Sequence, residues 1–418
     1  MNRPNSSAKL TAALLALLLA GCAAAGPNQS PVGQEKIEPV AESIQKVRQL
    51  KFVKPVPLVV VKRRDLEARS ESQIMRHHTD EELRARSAAD AFLGFAPNGV
   101  DLKSLRNQFF LAYVQGFYDP ATKEMVLVSR GYDSAVVNDR PGRIFLAHEF
   151  THALQDQNFG LDRELSDPDN ADRASAFRLV AEGDATIAEY AYDAGAMDSS
   201  VLDELTSQLD PSHQPSNPSL QLVEGPMISR YADGIKFVAE AYRRGGWQGV
   251  DALYSNPPLS MHQILHPADY FDHPRPPVDV VVRGYESELS SSTTVARDTY
   301  GEVLLKILIR RHLGKKAPEV SLAEQWAGDQ VVVLKSPDGR LAVVWILVFS
   351  SPQAATQFAD FYSKVLDKVL GNTEHQLQRR GTAILVIAGV PGNTLAPSIW
   401  SASKIDGRSA SSMAGISR

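Results

Sequence analysis

The sequence predicts an α+β protein built from a larger helical part and a smaller α+β domain. Three observations support this prediction. Helical periodicity surrounds a polar motif near residue 148 and returns in a second helix at 171–192. A proline-rich segment at 274–277 marks a linker, and β-rich runs alternate with helical runs beyond it. We therefore place the two parts at residues 47–276 and 277–400.

Length and composition limit the class of protein. The chain has 418 residues, 43% of them apolar, which is enough for one large core or two ordinary cores. A net charge of -5 gives no basic surplus and argues against a nucleic-acid partner. No feature of the sequence indicates an oligomer.

The first 22 residues have the features of an export signal. Basic residues precede an apolar run from Leu10 to Ala20, which is shorter than the roughly 20 residues of a membrane-spanning helix. The run ends in Leu19-Ala20-Gly21-Cys22, which resembles the lipobox of bacterial lipoproteins. The resemblance implies that Cys22, the only cysteine, carries lipid and anchors the chain to a bacterial membrane, facing outside the cytoplasm. That membrane would be the outer membrane in a Gram-negative cell, and an ordinary signal peptide cut near Ala25 is the alternative.

The next segments lead from the export signal to the motif. Residues 23–46 are small and polar and predict a flexible tether. Prolines lead into a valine run at 53–61, which predicts an edge strand, and residues 63–95 predict a helix. The pair His77-His78 lies within that helix, where adjacent side chains diverge by about 100°, so it indicates a solvated face rather than a ligand pair.

A β-hairpin is predicted directly before the motif. Two β-rich runs at 113–118 and 123–128 flank an Asp-Pro turn. The hairpin edge would let Gly116, Phe117 and Tyr118 pair with the backbone of an extended peptide substrate. A hairpin that only supports the fold is the alternative.

The motif itself is His148-Glu149-Phe150-Thr151-His152. Residues four apart on a helix project from one face, so both imidazoles can reach one zinc ion at about 2.0–2.1 Å. Glu149 then points near the open side of the metal, where it can accept a proton from water as a general base. A helix with buried, hydrogen-bonded histidines is the alternative.

The third zinc ligand is expected on the helix that follows. Glu182 lies in an apolar patch, where an ionised carboxylate would be costly without a cation. Glu189 lies two turns further along the same face and is the reserve ligand. Asp184 is a candidate to orient a zinc ligand by a hydrogen bond, and Asp156 is expected either to do the same or to have a structural role.

Two other features of the sequence bear on the class of zinc protein and on the packing of helices at the metal. Metzincins would carry glycine and histidine where this chain has Gln155 and Asn158, so that class is excluded. Gly183 is unfavourable inside a helix by about 1 kcal/mol, and it predicts a close approach of two helices at the metal.

Together these motifs resemble those of gluzincin-type zinc metallopeptidases. More narrowly, residues 116–120, 148–157 and 182–185 are similar to a group of bacterial secreted or lipoprotein zincins, over about residues 47–388. The resemblance implies a zincin-like domain, with a mixed sheet and edge hairpin beside the active-site helices. It implies Glu149 as the base and three zinc ligands, which are His148, His152 and Glu182. Thr186 departs from the pattern, because thermolysin-like gluzincins carry an aspartate there.

The remainder of the first part contains a second histidine pair. A loop is predicted at 199–219, and helices are predicted on both sides of Gly245-Gly246. His262 and His266 are four apart, but no glutamate follows His262 and a proline closes the segment, so a second metal site is not expected.

His266 has a different expected role. The sequence Gln-Ile-Leu-His-Pro around it is similar to one in the same zincin group, which implies that His266 donates a hydrogen bond to the oxyanion of the reaction. Tyr270 is the second candidate for this donor. A histidine that only braces a helix is the alternative.

Beyond the linker the patterns predict a small α+β domain without a catalytic constellation. Strands are expected at 278–282, 331–334, 341–349 and 383–388, and helices at 301–313 and 353–370. Residues 401–418 are rich in serine, glycine and alanine and predict a disordered tail.

The sequence as a whole predicts a lipid-anchored, zinc-dependent hydrolase, with a peptidase acting on peptide or protein substrates favoured. Two rival functions stay open. The first is a catalytically silent zincin scaffold that acts in binding or envelope assembly. The second is a zinc amidase that acts on cell-wall material.

Overall fold

Long helices and a small sheet form the first part of the fold in a computed structural model of the protein. The structure describes residues 34–63, 65–69, 78–129, 139–161, 169–209, 231–314, 316–406 and 408–409. The predicted signal peptide, the predicted lipidation site Cys22 and His77 lie outside the described residues.

The elements of the first part confirm the predicted α+β class. In chain order they are α1 Gln34–Arg48, β1 Leu58–Lys62, α2 Asp80–Phe92, α3 Leu102–Tyr113, β2 Gly116–Asp119, β3 Glu124–Ser129, α4 Arg140–Phe159, α5 Ala171–Ala194, α6 Ser199–Ser207, α7 Tyr231–Ser255, α8 Met261–Leu265 and α9 Ala268–Phe271.

The predicted tether is wrong from residue 34 onward, because α1 is a packed helix. Its residues Ile37, Val40 and Ile44 are at most 2% exposed and belong to the first hydrophobic core. They repeat every three or four residues, as the buried face of an amphipathic helix does. The last residue of α1, Arg48, is fully buried as well.

The small sheet confirms the predicted hairpin. Its strand order is β1-β3-β2, so β1 and β2 are the edges. Strands β2 and β3 are antiparallel, with Tyr118 opposite Met125, while β1 runs parallel to β3. The hairpin turn places β2 against helix α4, which carries the motif.

Helix α4 begins and ends where local chemistry dictates. The Asp139 side chain caps its first turn by accepting from the Gly142 amide at 2.7 Å. Gly160 ends it in the left-handed conformation, with φ of 78°, and donates its amide to the Asp156 carbonyl at 2.8 Å. Helix α5 begins in the same way, because Asn170 caps the Arg173 amide.

Gly183 does permit a close approach of two helices. A Cβ atom on Gly183 would lie 2.7 Å from the Gly234 carbonyl oxygen of α7, and a Cβ on Gly234 would lie 2.8 Å from the Leu179 oxygen of α5. The pair of glycines therefore lets α5 and α7 pack backbone to backbone. The close approach therefore occurs one residue from Glu182, and its partner helix is α7.

The second part is built on a five-stranded antiparallel sheet. Its elements are β4 Val280–Val281, β5 Thr293–Asp298, α10 Gly301–Leu313, a 3-10 segment Pro318–Gln325, β6 Trp326–Lys335, β7 Leu341–Phe349, α11 Pro352–Leu370, β8 His375–Arg380, β9 Ala383–Ala388, α12 Gly392–Ala402, β10 Lys404–Ile405 and β11 Arg408–Ser409. The strand order is β5-β6-β7-β9-β8. Helices α10 and α11 cover one face of the sheet and α12 covers the other.

The two parts of the chain share a hydrophobic core, which the predicted boundary at residue 277 does not anticipate. Helix α2 comes from the first part, yet its residues Ala85 and Ala89 pack in one cluster with Trp345 and Tyr362 of the second part. The Tyr362 hydroxyl also donates to the Leu93 carbonyl at 2.9 Å. Residues 80–96 therefore pack against the C-terminal sheet and helix α11.

Three other predicted boundaries change. The helix predicted at 63–95 is interrupted, because the Thr79 side chain accepts from the Glu82 amide at 3.1 Å and starts α2 as a separate helix. Helix α6 occupies part of the loop predicted at 199–219, and residues 210–230 lie outside the described part. The disordered tail predicted from residue 401 is wrong at residues 404–405, because β10 pairs there with β4. None of the helices in the described ranges is long and apolar enough to cross a bilayer.

Candidate metal centre

The side chains of His148, His152 and Glu182 converge between α4 and α5. The Nε2 atom of His148 lies 3.2 Å from Glu182 Oε2 and 3.1 Å from His152 Nε2. The third side of the triangle, from His152 Nε2 to Glu182 Oε2, is 3.5 Å. Ligands about 2.0–2.1 Å from a tetrahedral zinc ion are roughly 3.3 Å apart, so these three atoms can hold one ion.

Glu189 lies behind the first histidine. Its Oε2 atom is 2.9 Å from Nδ1 of His148, on the opposite side of the ring from Glu182. Because Nδ1 and Nε2 point in different directions, Glu189 cannot share an ion with Nε2 and is not the reserve ligand that the sequence predicted. It instead fixes the orientation of the His148 ring and increases its basicity, as carboxylates do for metal-bound histidines.

The second histidine is oriented through a longer chain of contacts. Nδ1 of His152 lies 2.9 Å from the Gln155 side-chain oxygen, and the Gln155 amide donates to Asp184 at 3.0 Å. Asp184 thus supports His152 through Gln155 rather than directly. Arg48 holds Asp184 in turn, with its Nε atom 2.7 Å from Asp184 Oδ1.

Arg48 is the far end of this network. Its guanidinium also donates to Asp251 at 2.6 Å and lies 4.6 Å from the centre of the Trp247 ring. Burial lowers the Arg48 pKa, but the Asp184 carboxylate outweighs burial and holds that pKa above its usual value. Arg48 has no signature in the sequence, because residues 34–46 of its helix resemble a tether.

Asp156 has the structural role of the two that the sequence leaves open. Its carboxylate accepts from the Tyr118 hydroxyl at 2.7 Å and from Lys123 Nζ at 2.8 Å, so its partners are on the hairpin rather than on the histidines. Asp156 therefore fastens the hairpin to the motif helix. This contact positions β2 beside the centre, which is a structural consequence that the sequence did not reveal.

Glu149 is buried and is held by the backbone of β2. Its Oε2 atom accepts a hydrogen bond from the Tyr118 amide at 2.9 Å. Burial raises the Glu149 pKa above its usual value, although His152 and His148 oppose that shift. A carboxyl group with a raised pKa is suited to exchange protons near neutral pH.

The predicted substrate edge needs one revision. Because the Tyr118 amide points away from β3 toward Glu149, the strand alternation points the Gly116 amide and carbonyl the same way. The Tyr118 amide already has a partner, so within the described part of the chain the outward groups of β2 that could meet a peptide are those of Gly116 and the Tyr118 carbonyl. Gly116 has no room for a side chain, since a Cβ atom would lie 2.7 Å from the Val126 oxygen and 2.9 Å from the Phe145 ring.

Tyr231 is a residue of the centre that sequence reasoning missed. It begins α7, and it lies close enough to Glu182 for that carboxylate to act on the pKa of its hydroxyl. Burial raises the Tyr231 pKa far above its usual value, and the negative charges of Glu182, Glu149 and Glu189 add to the shift. The hydroxyl therefore stays protonated and can donate.

The charges around the centre favour a cation. Burial raises the Glu182 pKa, but His152 and His148 outweigh burial and hold it well below its usual value. Burial lowers the His148 pKa, but Glu189 and Glu182 raise it overall. Three carboxylates thus surround two imidazoles, which is an environment that stabilises added positive charge.

His266 and Tyr270 are not placed as the sequence predicted. Nε2 of His266 lies 3.1 Å from Glu302 Oε2, in a separate cluster. That cluster adjoins the start of α5, where the Met261 amide donates to Asp172, and Asp172 is ten residues or about 15 Å along the helix from Glu182. The Tyr270 hydroxyl donates to the Asn256 carbonyl and its ring packs on Phe237. Neither residue therefore faces Glu149, and the alternative of a bracing histidine fits His266 better.

Thr186 occupies the position where the resemblance expects an aspartate. Its side chain is 2% exposed, and within the described part of the chain its hydroxyl oxygen has no hydrogen-bond partner. It does not orient a histidine. Glu189, three residues further along α5, contacts His148 instead.

Comparison with known proteins reaches only the second part of the chain. A family model described as a domain of unknown function (DUF8575) matches residues 288–395, which run from just before β5 to the start of α12. The match covers neither the motif nor Glu182. No curated protein and no solved structure matches the chain.

Proposed function

We propose that the protein is a zinc-dependent peptidase with a zincin-like active site. The observation that carries the proposal is the triangle of His148, His152 and Glu182 donor atoms, with sides of 3.1–3.5 Å, beside the buried Glu149. Nitrogen and oxygen donors at this spacing fit zinc. When bound, zinc supplies Lewis acidity, which lowers the pKa of water and polarises a carbonyl group.

Glu149 has the role of general base in this proposal. The Tyr118 amide fixes one carboxylate oxygen, which leaves the other oxygen to take a proton from the attacking water. Burial raises the Glu149 pKa, so the proton can then be passed to the leaving amine.

Tyr231 replaces His266 as the proposed donor to the oxyanion. Its protonated hydroxyl lies at Glu182, on the same centre as the base. A buried hydroxyl of this kind stabilises negative charge that develops on the scissile carbonyl oxygen.

The substrate is proposed to be an extended peptide laid along β2. The outward carbonyl and amide of Gly116 and the carbonyl of Tyr118 offer backbone hydrogen bonds that read little sequence. We also propose that lipid on Cys22 keeps the protein at the cell envelope. Radiolabelled palmitate should label the parent and not Cys22→Ser, and equal labelling would refute the anchor.

The central experiment compares Glu149→Gln with the parent. The variant should keep its zinc, measured by inductively coupled plasma mass spectrometry, and lose about 10²–10⁴-fold in cleavage rate on a proteome-derived peptide library. Glu38→Gln makes the same change on an exposed face of α1 and should cleave like the parent.

Other outcomes separate the rivals. A Glu149→Gln protein that cleaves as fast as the parent contradicts the mechanism. A parent that binds zinc and cleaves purified peptidoglycan but not peptides identifies an amidase. A parent without zinc or turnover identifies a silent scaffold.

A further inference from the structure

A second pair of histidines meets a glutamate at the junction of the two parts. Nδ1 of His262 lies 2.5 Å from Glu302 Oε2, and Nε2 of His266 lies 3.1 Å from the same oxygen. His262 lies on α8 and His266 directly follows it, while Glu302 lies in the first turn of α10, so the cluster joins the first part to the second. The three donor atoms lie within 4.8 Å of one another.

The two oxygens of Glu302 have different surroundings. Oε1 is 2.6 Å from the Lys306 ammonium, one turn along α10. Oε2 faces both histidines, and the Nε2 atom of His266 also lies 3.2 Å from Oε1. The lysine thus pairs with Oε1, whereas Oε2 is the oxygen that both ring nitrogens approach and the one placed to bind a cation together with them.

His262 also has the partner that metal-bound histidines usually have. Its Nε2 atom, on the far side of the ring from Glu302, lies 3.1 Å from Asp269 Oδ2. A carboxylate at the second nitrogen fixes the ring and its tautomer, as Glu189 does for His148.

Ion pairing alone explains the cluster less well. The rings of His262 and His266 have centroids 4.3 Å apart, so two protonated imidazoles would repel each other there. The Glu302 side chain is fully buried, and Lys306 already pairs with one of its oxygens. One divalent ion bound by two neutral imidazoles removes the repulsion between the rings.

We propose that His262, His266 and Glu302 form a second site for a divalent transition metal of the zinc class. Two imidazole nitrogens and a carboxylate oxygen are a donor set that suits zinc and its neighbours. Its function is structural, since it fastens α8 to α10. The side of the site that remains open is at His266, whose side chain is 33% exposed.

The first test counts metal ions in the full-length protein. The parent should hold two zinc ions per chain, and the double variant His148→Ala/His152→Ala should hold one. His273→Ala removes an exposed histidine nearby and should keep both ions. A double variant that is folded by circular dichroism and binds no zinc overturns the proposal.

The second test measures zinc affinity by chelator competition in that double variant. His266→Ala should weaken binding by more than about 100-fold, and Asp269→Asn by about 10- to 100-fold. His266 is partly exposed, so its loss should leave the fold intact. Unchanged affinity in both variants contradicts the assignment of these ligands.

The zinc affinity of Lys306→Met should distinguish a metal site from an ion-pair network. If metal binds Glu302, removing the nearby ammonium should tighten zinc binding by at least about 10-fold, because like charges no longer repel. If the cluster is only an ion-pair network, zinc binding stays undetectable and the variant is merely less stable. That second result refutes the proposal.

Discussion

The two histidine–glutamate clusters have the same donor types and different surroundings. In the first, two histidines lie in the middle of the 20-residue helix α4, and the ligand glutamate comes from another long helix. In the second, the histidines lie on and just after the 5-residue helix α8. Both clusters have a carboxylate behind one histidine, which is Glu189 in the first and Asp269 in the second.

The difference between them is in the groups that are not ligands. The first cluster adds the carboxylate of Glu149, the hydroxyl of Tyr231 and an edge strand. The second adds the Lys306 ammonium, which is already protonated and cannot accept a proton as a general base does. A shared donor set therefore does not imply a shared function. The proposed chemistry belongs to the cluster with the base, and the proposed structural role to the cluster at the junction.

The largest expected effect comes from Arg48, which only the first cluster has behind it. Replacing Arg48 with methionine leaves Asp184 buried without its cation, and breaking such a pair destabilises a protein by about 3–5 kcal/mol. The measurement is the free energy of unfolding in urea. Arg244→Met removes exposed ion pairs and should leave the unfolding midpoint unchanged. A loss below about 1 kcal/mol for Arg48→Met would mean that the network does not support the first cluster.

A substitution at Tyr231 tests whether the oxyanion donor belongs to the first cluster and not to the second. Tyr231→Phe should lower kcat by about 10²–10³-fold with little change in KM, because the hydroxyl acts on the transition state. Zinc content should stay at the parental level. His266→Ala, which alters the second cluster, should leave kcat within about twofold. A large loss of kcat in His266→Ala would mean that the two clusters are not independent.

Glu189 sharpens the comparison at the level of metal affinity. Glu189→Gln should weaken zinc binding at the first cluster by about 10- to 100-fold, because the His148 ring loses its charged partner. Binding at the second cluster should not change. Chelator competition in the His266→Ala background isolates the first site. Equal weakening of both sites would show a global loss of stability instead.

The smallest effect is expected at Thr186. Within the described residues its hydroxyl has no partner, so Thr186→Val should change the free energy of unfolding by less than about 1 kcal/mol. Zinc affinity should be unchanged as well. A fall in affinity like that of Glu189→Gln would mean that position 186 still orients a ligand.

The sequence predicted the parts of the first cluster that depend on local geometry. The i, i+4 spacing of His148 and His152 needs only a helix, and a capped start and a glycine end specify that helix locally. Glu182 was found because an acidic residue in an apolar helix demands a partner. The hairpin was found because two β-rich runs flank a turn.

The residues that the sequence missed all depend on distant contacts. Tyr231 reaches Glu182 from another helix, and Glu302 reaches His266 across 36 residues, so neither has a local signature. Arg48 was hidden because its helix follows a polar, proline-containing stretch that resembles a linker. Strands β5 and β8 were missed because charged and polar residues interrupt their apolar pattern.

Helix α1 bears on where the protein can be cut. A truncation that began at residue 47, where the sequence placed the start of the first domain, would remove all of α1 except its last two residues. The core would lose Ile37, Val40 and Ile44, and Arg48 would be left on a loose chain end beside Asp184. A shortened protein made for crystallisation or assay should therefore begin before residue 34.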